Sequence, residues 1–192
     1  MNEISQHAGK SSGTRKSLLL ITIAGCLAVV YGVGISSPLQ VQFFNEIGAT
    51  NVHFGLLNGI PQALLFIQLL GAFIANRVRR RKGLFVFFLI AGRLMYIPVA
   101  FLPVLFPSLR ADLAMGVIVP VIAASSVLIN IGGPFWFSWM ADVIPGRIRN
   151  AYWGTRSAWL QFTYIVAFLL LAAFGSFFPV SALTAYPVIA TF

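Results

Sequence analysis

Few residues in this 192-residue sequence could do chemistry, and their spacing excludes most of what they could do. His7 falls in a polar N-terminal stretch and His53 between two apolar runs. Neither can join the single Cys26 in a metal cluster, or a carboxylate in a general-base pair. No phosphate-cradling P-loop is present, which argues against ATP-driven transport. The acids are Glu3, Glu46, Asp112 and Asp142, and none lies deep in an apolar run, so no buried carboxylate is on hand for proton coupling. No enzyme chemistry, metal or cofactor is expected. Three features remain: a basic run over Arg77, Arg79, Arg80, Arg81 and Lys82, an acid at Asp142, and Arg93, alone inside an apolar stretch.

Arg93 is the sharpest of these. It lies nine residues after Leu84, and at ~1.5 Å per residue that is ~14 Å into a helix, close to the middle of a ~30 Å hydrocarbon core. A central arginine costs about 2.5–3.5 kcal/mol on insertion scales, so something should offset it. Neighbouring runs offer only the neutral amides of Asn58, Gln62, Gln68 and Asn130. A guanidinium among amides retains a preference for an anion. The expectation is that Arg93 faces a central cavity with Asn58, Gln62 and Asn130. There it binds an anionic solute or an acid of a partner. Tyr31, Tyr96, Ser125, Ser126, Gln161, Thr163 and Tyr164 also lie in apolar runs and read mainly as interhelical hydrogen-bonding groups.

The elements that must position these residues are membrane spans. Hydrophobic residues make up 59% of the chain and charged residues 9%, and the mean hydropathy is +0.90. A soluble domain carries about 25% charged residues, so this surface cannot be a soluble one. Apolar runs cover 17–35, 54–75, 84–106, 113–140 and 157–178. They are continuous rather than alternating, which predicts helices and not barrel strands. The fourth is long enough to tilt, or to break at Gly132-Gly133-Pro134. Residues 1–16 read as a disordered cytoplasmic tail. A cleaved signal peptide is disfavoured, because the first run continues nine residues past Cys26. Residues 180–192 are apolar but too short to span and read as a partial sixth helix. Gly55, Gly59, Ala63, Gly71 and Ala75 form a small-residue stripe along the second run, a packing signal in lipid.

The net charge of +9 would suit a nucleic-acid binder in a soluble protein. Here the cations cluster between apolar runs, so no nucleic-acid partner is expected. Lys10, Arg15, Lys16, the five cations of 77–82, Arg147, Arg149 and Arg156 all fall on one side of a five-span topology. The opposite loops hold only Arg110, beside Asp112. This asymmetry predicts a cytoplasmic N-terminus in a cell (inner or plasma) membrane.

At the loop after the second run, Ala72-Phe73-Ile74-Ala75-Asn76-Arg77-Val78-Arg79-Arg80-Arg81 resembles the signature G-x-L-A-D-R-x-G-R-R of the major facilitator superfamily. Ala75, Arg77, Arg80 and Arg81 match. Asn76 stands where the family has Asp, Arg79 where it has Gly, and Ala72 where it has the first Gly. Phe54-Gly55-Leu56-Leu57 is similar to a common opening of the family's second helix. The stretch Trp139 to Pro145, followed by Arg147, Arg149, Tyr152, Gly154 and Arg156, is similar to its four-to-five loop. The resemblance covers most of 17–178. It implies a secondary transporter of two six-helix halves around a central site, working by alternating access. It also implies that Asp142 pairs with the signature loop of Asn76, Arg77, Arg80 and Arg81 to latch one conformation. The fifth run lacks the family's glycine- and proline-rich antiporter stretch.

The expected fold is therefore all-α: a polytopic helical membrane protein with five full spans and a partial sixth, the N-terminal half of such a carrier. It reads as a fragment, a truncated product or a half that pairs with a second six-helix half or another copy of itself. The alternative is a small helical membrane protein that scaffolds or regulates a partner and transports nothing.

Overall fold

A computed structural model of the chain describes the backbone of residues 2–36, 38–177 and 182–191, and side chains over 15–35, 39–173, 183–188 and 190–191. Every described element is helical. In order they are α1 (Asn2–Ser36), α2 (Pro38–Ile47), α3 (Asn51–Ala63), a 3-10 turn at Leu64–Phe66, α4 (Ile67–Ala75), α5 (Arg81–Leu94), α6 (Tyr96–Leu105), α7 (Ala111–Val143), a 3-10 turn at Gly146–Ile148, α8 (Arg149–Phe177) and α9 (Ala182–Thr191). Among the described residues, five stretches are long and apolar enough to cross a membrane: Arg15–Ile47, Asn51–Ala75, Arg81–Leu105, Ala111–Val143 and Gly146–Ala173. Helix is the form an apolar run must take in lipid, because it satisfies every backbone N–H and C=O within the segment.

The boundaries differ from expectation at the N-terminal end. The polar stretch read as a disordered tail is helical from Asn2, since a helix already nucleated by an apolar run extends at little cost per residue. The segment between the first two apolar runs is mostly helix as well. Pro38 opens α2, a position where its missing N–H is harmless and its fixed φ is helical. Gly48 then closes α2 at φ +92. Its N–H donates to Asn45 O and that of Ala49 to Phe44 O, both at 2.9 Å. This paired arrangement requires a left-handed residue, which is why glycine stands there. Thr50 N–H donates to His53 Nδ1 at 3.1 Å, so His53 caps the start of α3.

The chain divides into two compact units. The first joins α1 up to Val33 with the segment from Asp142 through α8. In it the Arg149 guanidinium donates to Ile144 O at 3.4 Å, bracing the turn around Pro145. Tyr152 OH donates to Leu18 O at 3.3 Å and lies 3.3 Å from Thr22 Oγ1, holding α8 against α1.

The second unit runs from Gly34 to Ala141 and includes α9. Its core at one end is aromatic: Phe43, Phe44 and Tyr186 are fully buried, with Phe43 and Tyr186 stacked at 4.3 Å. Glu46 accepts the Leu183 N–H at 3.1 Å, placing a carboxylate at the start of α9, where the helix's free N–H groups attract negative charge. The stretch 180–192, read as a partial sixth helix, thus contains a ten-residue helix packed on α2 and α6.

Candidate solute site

The site is built from α3 to α6 and α7 up to Ala141, all in the second unit. Three glycines set how closely its helices approach. A Cβ at Gly71 in α4 would come within 2.6 Å of the Ile131 carbonyl oxygen. One at Gly92 in α5 would meet Ile129 Cγ1 at 2.7 Å, and one at Gly132 in α7 would meet Phe88 Cβ at 3.0 Å. Backbones at such separation gain dispersion contacts that lipid tails cannot match. Of the stripe along the second span, only Gly71 and Ala75 are buried, whereas Gly55 and Gly59 have open space where a Cβ would stand.

Two spans lose regular α-helix near their middles. Pro61 lacks the N–H that would reach Leu57 O, and three residues later the helix tightens into the 3-10 turn at Leu64–Phe66. Pro98 lacks the N–H that would reach Leu94 O, and α5 ends at Leu94, with Met95 separating it from α6. An interruption in lipid needs replacement hydrogen-bond partners. Ser125 provides one: its buried Oγ donates to Gly92 O at 2.8 Å. Arg93, the next residue, is half-buried and is the central residue of the Arg81–Leu105 span.

The expected solute-binding residues separate into two groups. Asn130 is buried in α7, and its Oδ1 accepts a hydrogen bond from Gln68 Nε2 at 3.0 Å, linking α4 to α7. Asn58 and Gln62, one helical turn apart on α3, are exposed. Asn58 Nδ2 donates to Phe54 O at 2.9 Å, within its own helix. Exposed amides within a span are poorly suited to lipid, so that face of α3 is suited to water or to another polar surface.

The basic loop is organised around the end of α4. Asn76 is the C-cap, its N–H donating to Ala72 O at 3.1 Å. Arg81 Nε donates to Ala75 O at 3.2 Å, which places a cation at the negative end of the helix. Arg77 lies over the Phe73 ring at 3.9 Å, and Lys82 over Trp139 at 5.6 Å. Arg80 sits at the N-cap of α5 and is exposed. Asp142 is exposed in the last turn of α7 and belongs to the first unit.

Sequence reasoning missed two features. The Ser125–Gly92 bond joins residues 33 apart and leaves no periodic trace. Arg156, read as a loop cation, stands two turns into α8, and a Cβ at Gly25 would approach its Nη2 to 2.8 Å. The spacing of seven between Arg149 and Arg156 was the available signal, since it sets the second arginine well inside any helix that begins at the first. Among the described residues no cluster of His, Cys, Asp and Glu could hold a metal ion. No known family, characterised protein or solved structure matches this chain.

Proposed function

We propose that this chain is half of a secondary solute carrier of the major facilitator type, working by alternating access with a second six-helix half or another copy of itself. One observation carries the reading: the second and third spans both lose regular α-helix near their middles, at Leu64–Phe66 and at Met95, and these same spans carry Gln68, bonded to Asn130, and Arg93. Interrupted helices around polar groups at the bilayer midplane are the usual construction of a transporter site. The exposed amides of Asn58 and Gln62 add a face suited to an aqueous cavity. An anion is the fitting solute class, because Arg93 is the charge at that depth and no acid shares the span. The deciding experiment is reconstitution into liposomes, alone and with a co-expressed second half, against a panel of anionic, neutral and cationic solutes. Uptake of none of them in either arrangement would sink the proposal.

Two details of the reading have their own tests. The cytoplasmic N-terminus rests on the distribution of cations. Because α2 and α3 leave only 48–50 outside helix, a cysteine at Thr50 in a Cys26→Ser background should react with an impermeant maleimide in intact cells. Protection there, with labelling at Arg79→Cys, would invert the topology. The latch pairs Asp142 with Arg77 or Arg80. Cysteines at 142 and 80 should crosslink in at least one ligand state, and failure at every spacer length removes the latch.

A second reading, a scaffold that binds another membrane protein, is favoured by the last span. None of the apolar stretch of Gly146–Ala173 is buried within the chain. Co-purification of a stoichiometric membrane partner without uptake of any solute would select it.

A further inference from the structure

We infer that the groove between α1 and α8 is a binding site for an anionic phospholipid, separate from solute transport. The groove has a volume of about 680 Å³ and lies within the first unit. Most of its wall is apolar: Leu19, Ile23, Leu27 and Val30 line it from α1 and Trp159 from α8. Leu19 and Leu27 are well exposed, at 59% and 66%. Both charged residues that line it, Arg15 and Arg156, are cations, and no acid does.

The order of these residues along the helices matches the order of groups in a lipid. Arg15 opens the apolar part of α1 and stands at the mouth. The Arg156 guanidinium lies at the level of Gly25, ten residues or ~15 Å further along. Thr22 and Tyr152, 3.3 Å apart, occupy the same interval. Trp153, 5.7 Å from the Arg156 guanidinium, lies nearer the start of α8, at a level suited to the interface, where indoles are enriched. Below it Ile23, Leu27 and Val30 continue the wall at helical spacing, a track for an acyl chain. Basic pockets between spans on the cytoplasmic side hold anionic head groups by this chemistry.

Cys26, the sole cysteine, also lines the groove and reports its occupancy. The test is the rate of Cys26 alkylation by N-ethylmaleimide in the detergent-purified full chain, after addition of phosphatidylglycerol, phosphatidylcholine or inorganic phosphate. Phosphatidylglycerol should slow alkylation about fivefold more than phosphatidylcholine does, the factor that one cation contributes towards an anionic lipid. Inorganic phosphate, which lacks the chain, should not protect. Arg156→Gln should abolish the preference for phosphatidylglycerol, as should Arg15→Gln, whose exposed position leaves folding intact. Arg147→Gln, outside the groove, should leave it unchanged. Leu27→Trp, which fills the track, should remove protection by either lipid. Equal protection by the two lipids, protection by inorganic phosphate alone, or an unchanged preference in both Arg156→Gln and Arg15→Gln would overturn the inference.

Discussion

Two arginines stand inside membrane-spanning helices of this protein, and their settings differ in ways that separate two roles. Arg93 is the central residue of its span, beside a helix break at Met95 and next to Gly92, whose carbonyl is taken by Ser125. Arg156 stands immediately before the apolar run of 157–178, on an unbroken helix, with its guanidinium against Gly25 and 5.7 Å from the Trp153 ring. A side chain near a span's end can reach the head groups, and its charge costs little. One at the centre cannot, and about 2.5–3.5 kcal/mol must be offset locally. Depth therefore suits Arg156 to the lipid surface and Arg93 to whatever fills the centre of the bundle.

The largest effect should come from the central arginine. In an assembled carrier, Arg93→Gln removes both charge and fork, and Arg93→Lys keeps the charge alone. Losing a charged hydrogen bond of about 1.5–3 kcal/mol should cut solute affinity by roughly ten- to a hundredfold. The expected order of uptake at matched expression is wild type, then Lys, then Gln. Arg156→Gln should leave uptake within about twofold, as a cation that can reach the head groups has little to lose. Wild-type uptake by Arg93→Gln, or equal losses at the two arginines, would erase the distinction drawn from depth.

The glycines beside the two sites give a second contrast, in stability. At Gly71 an added methyl would meet the carbonyl oxygen of Ile131 at 2.6 Å, and backbone cannot step aside without moving α4 from α7. At Gly25 it would meet the end of the Arg156 side chain at 2.8 Å, which can rotate away. Gly71→Ala should therefore destabilise by about 1–3 kcal/mol, the range for overpacking a well-packed interior. Gly25→Ala should cost well under 1 kcal/mol, since only rotamer choice changes. Thermal unfolding in detergent compares them directly. A larger loss at Gly25 would mean that Arg156 is held far more rigidly than its place in a groove implies.

The spans were legible because an apolar run of about twenty residues has one stable form in lipid. Among the described residues five stretches are long and apolar enough to span, and the last begins at Gly146, eleven residues before its apolar run at 157. The first extends to Ile47, because Pro38 restarts a helix where a loop was expected, and nothing in hydropathy distinguishes Gln40 and Gln42 in a loop from the same residues on a helix whose Phe43 and Phe44 are buried. Of the two options for the fourth run, a tilt or a break at Gly132-Gly133-Pro134, the break does not occur: α7 runs through the triplet, its Gly132 close against Phe88. The breaks came instead near Pro61 and Pro98, while α7 accommodates Pro120 and Pro134 without one, so proline alone does not mark a break. For the candidate site, counting alone put Arg93 near the middle of its span, and it is the central residue of Arg81–Leu105. The partnership of Gln68 with Asn130, 62 residues apart, and that of Ser125 with Gly92 depend on helix rotation, which a featureless apolar run does not encode.

The smallest effect tests whether the Gln68–Asn130 bond is part of the site or only holds α4 to α7. Gln68 Nε2 donates to Asn130 Oδ1 at 3.0 Å, with Asn130 buried. Interhelical side-chain hydrogen bonds in membranes average about 0.6 kcal/mol, because the separated helices find other partners. A double-mutant cycle with Gln68→Leu and Asn130→Leu should return a coupling of about that size in unfolding free energy. If the pair is purely structural, uptake by the double variant should follow its stability and recover at lower temperature. If its amides also contact solute, KM should rise in Asn130→Leu at temperatures where the protein is fully folded, and should not rise in Gly71→Ala, which loosens the same helix pair without touching an amide. A rise in both would assign the effect to helix packing and leave Arg93 as the one polar group of the centre that meets the solute.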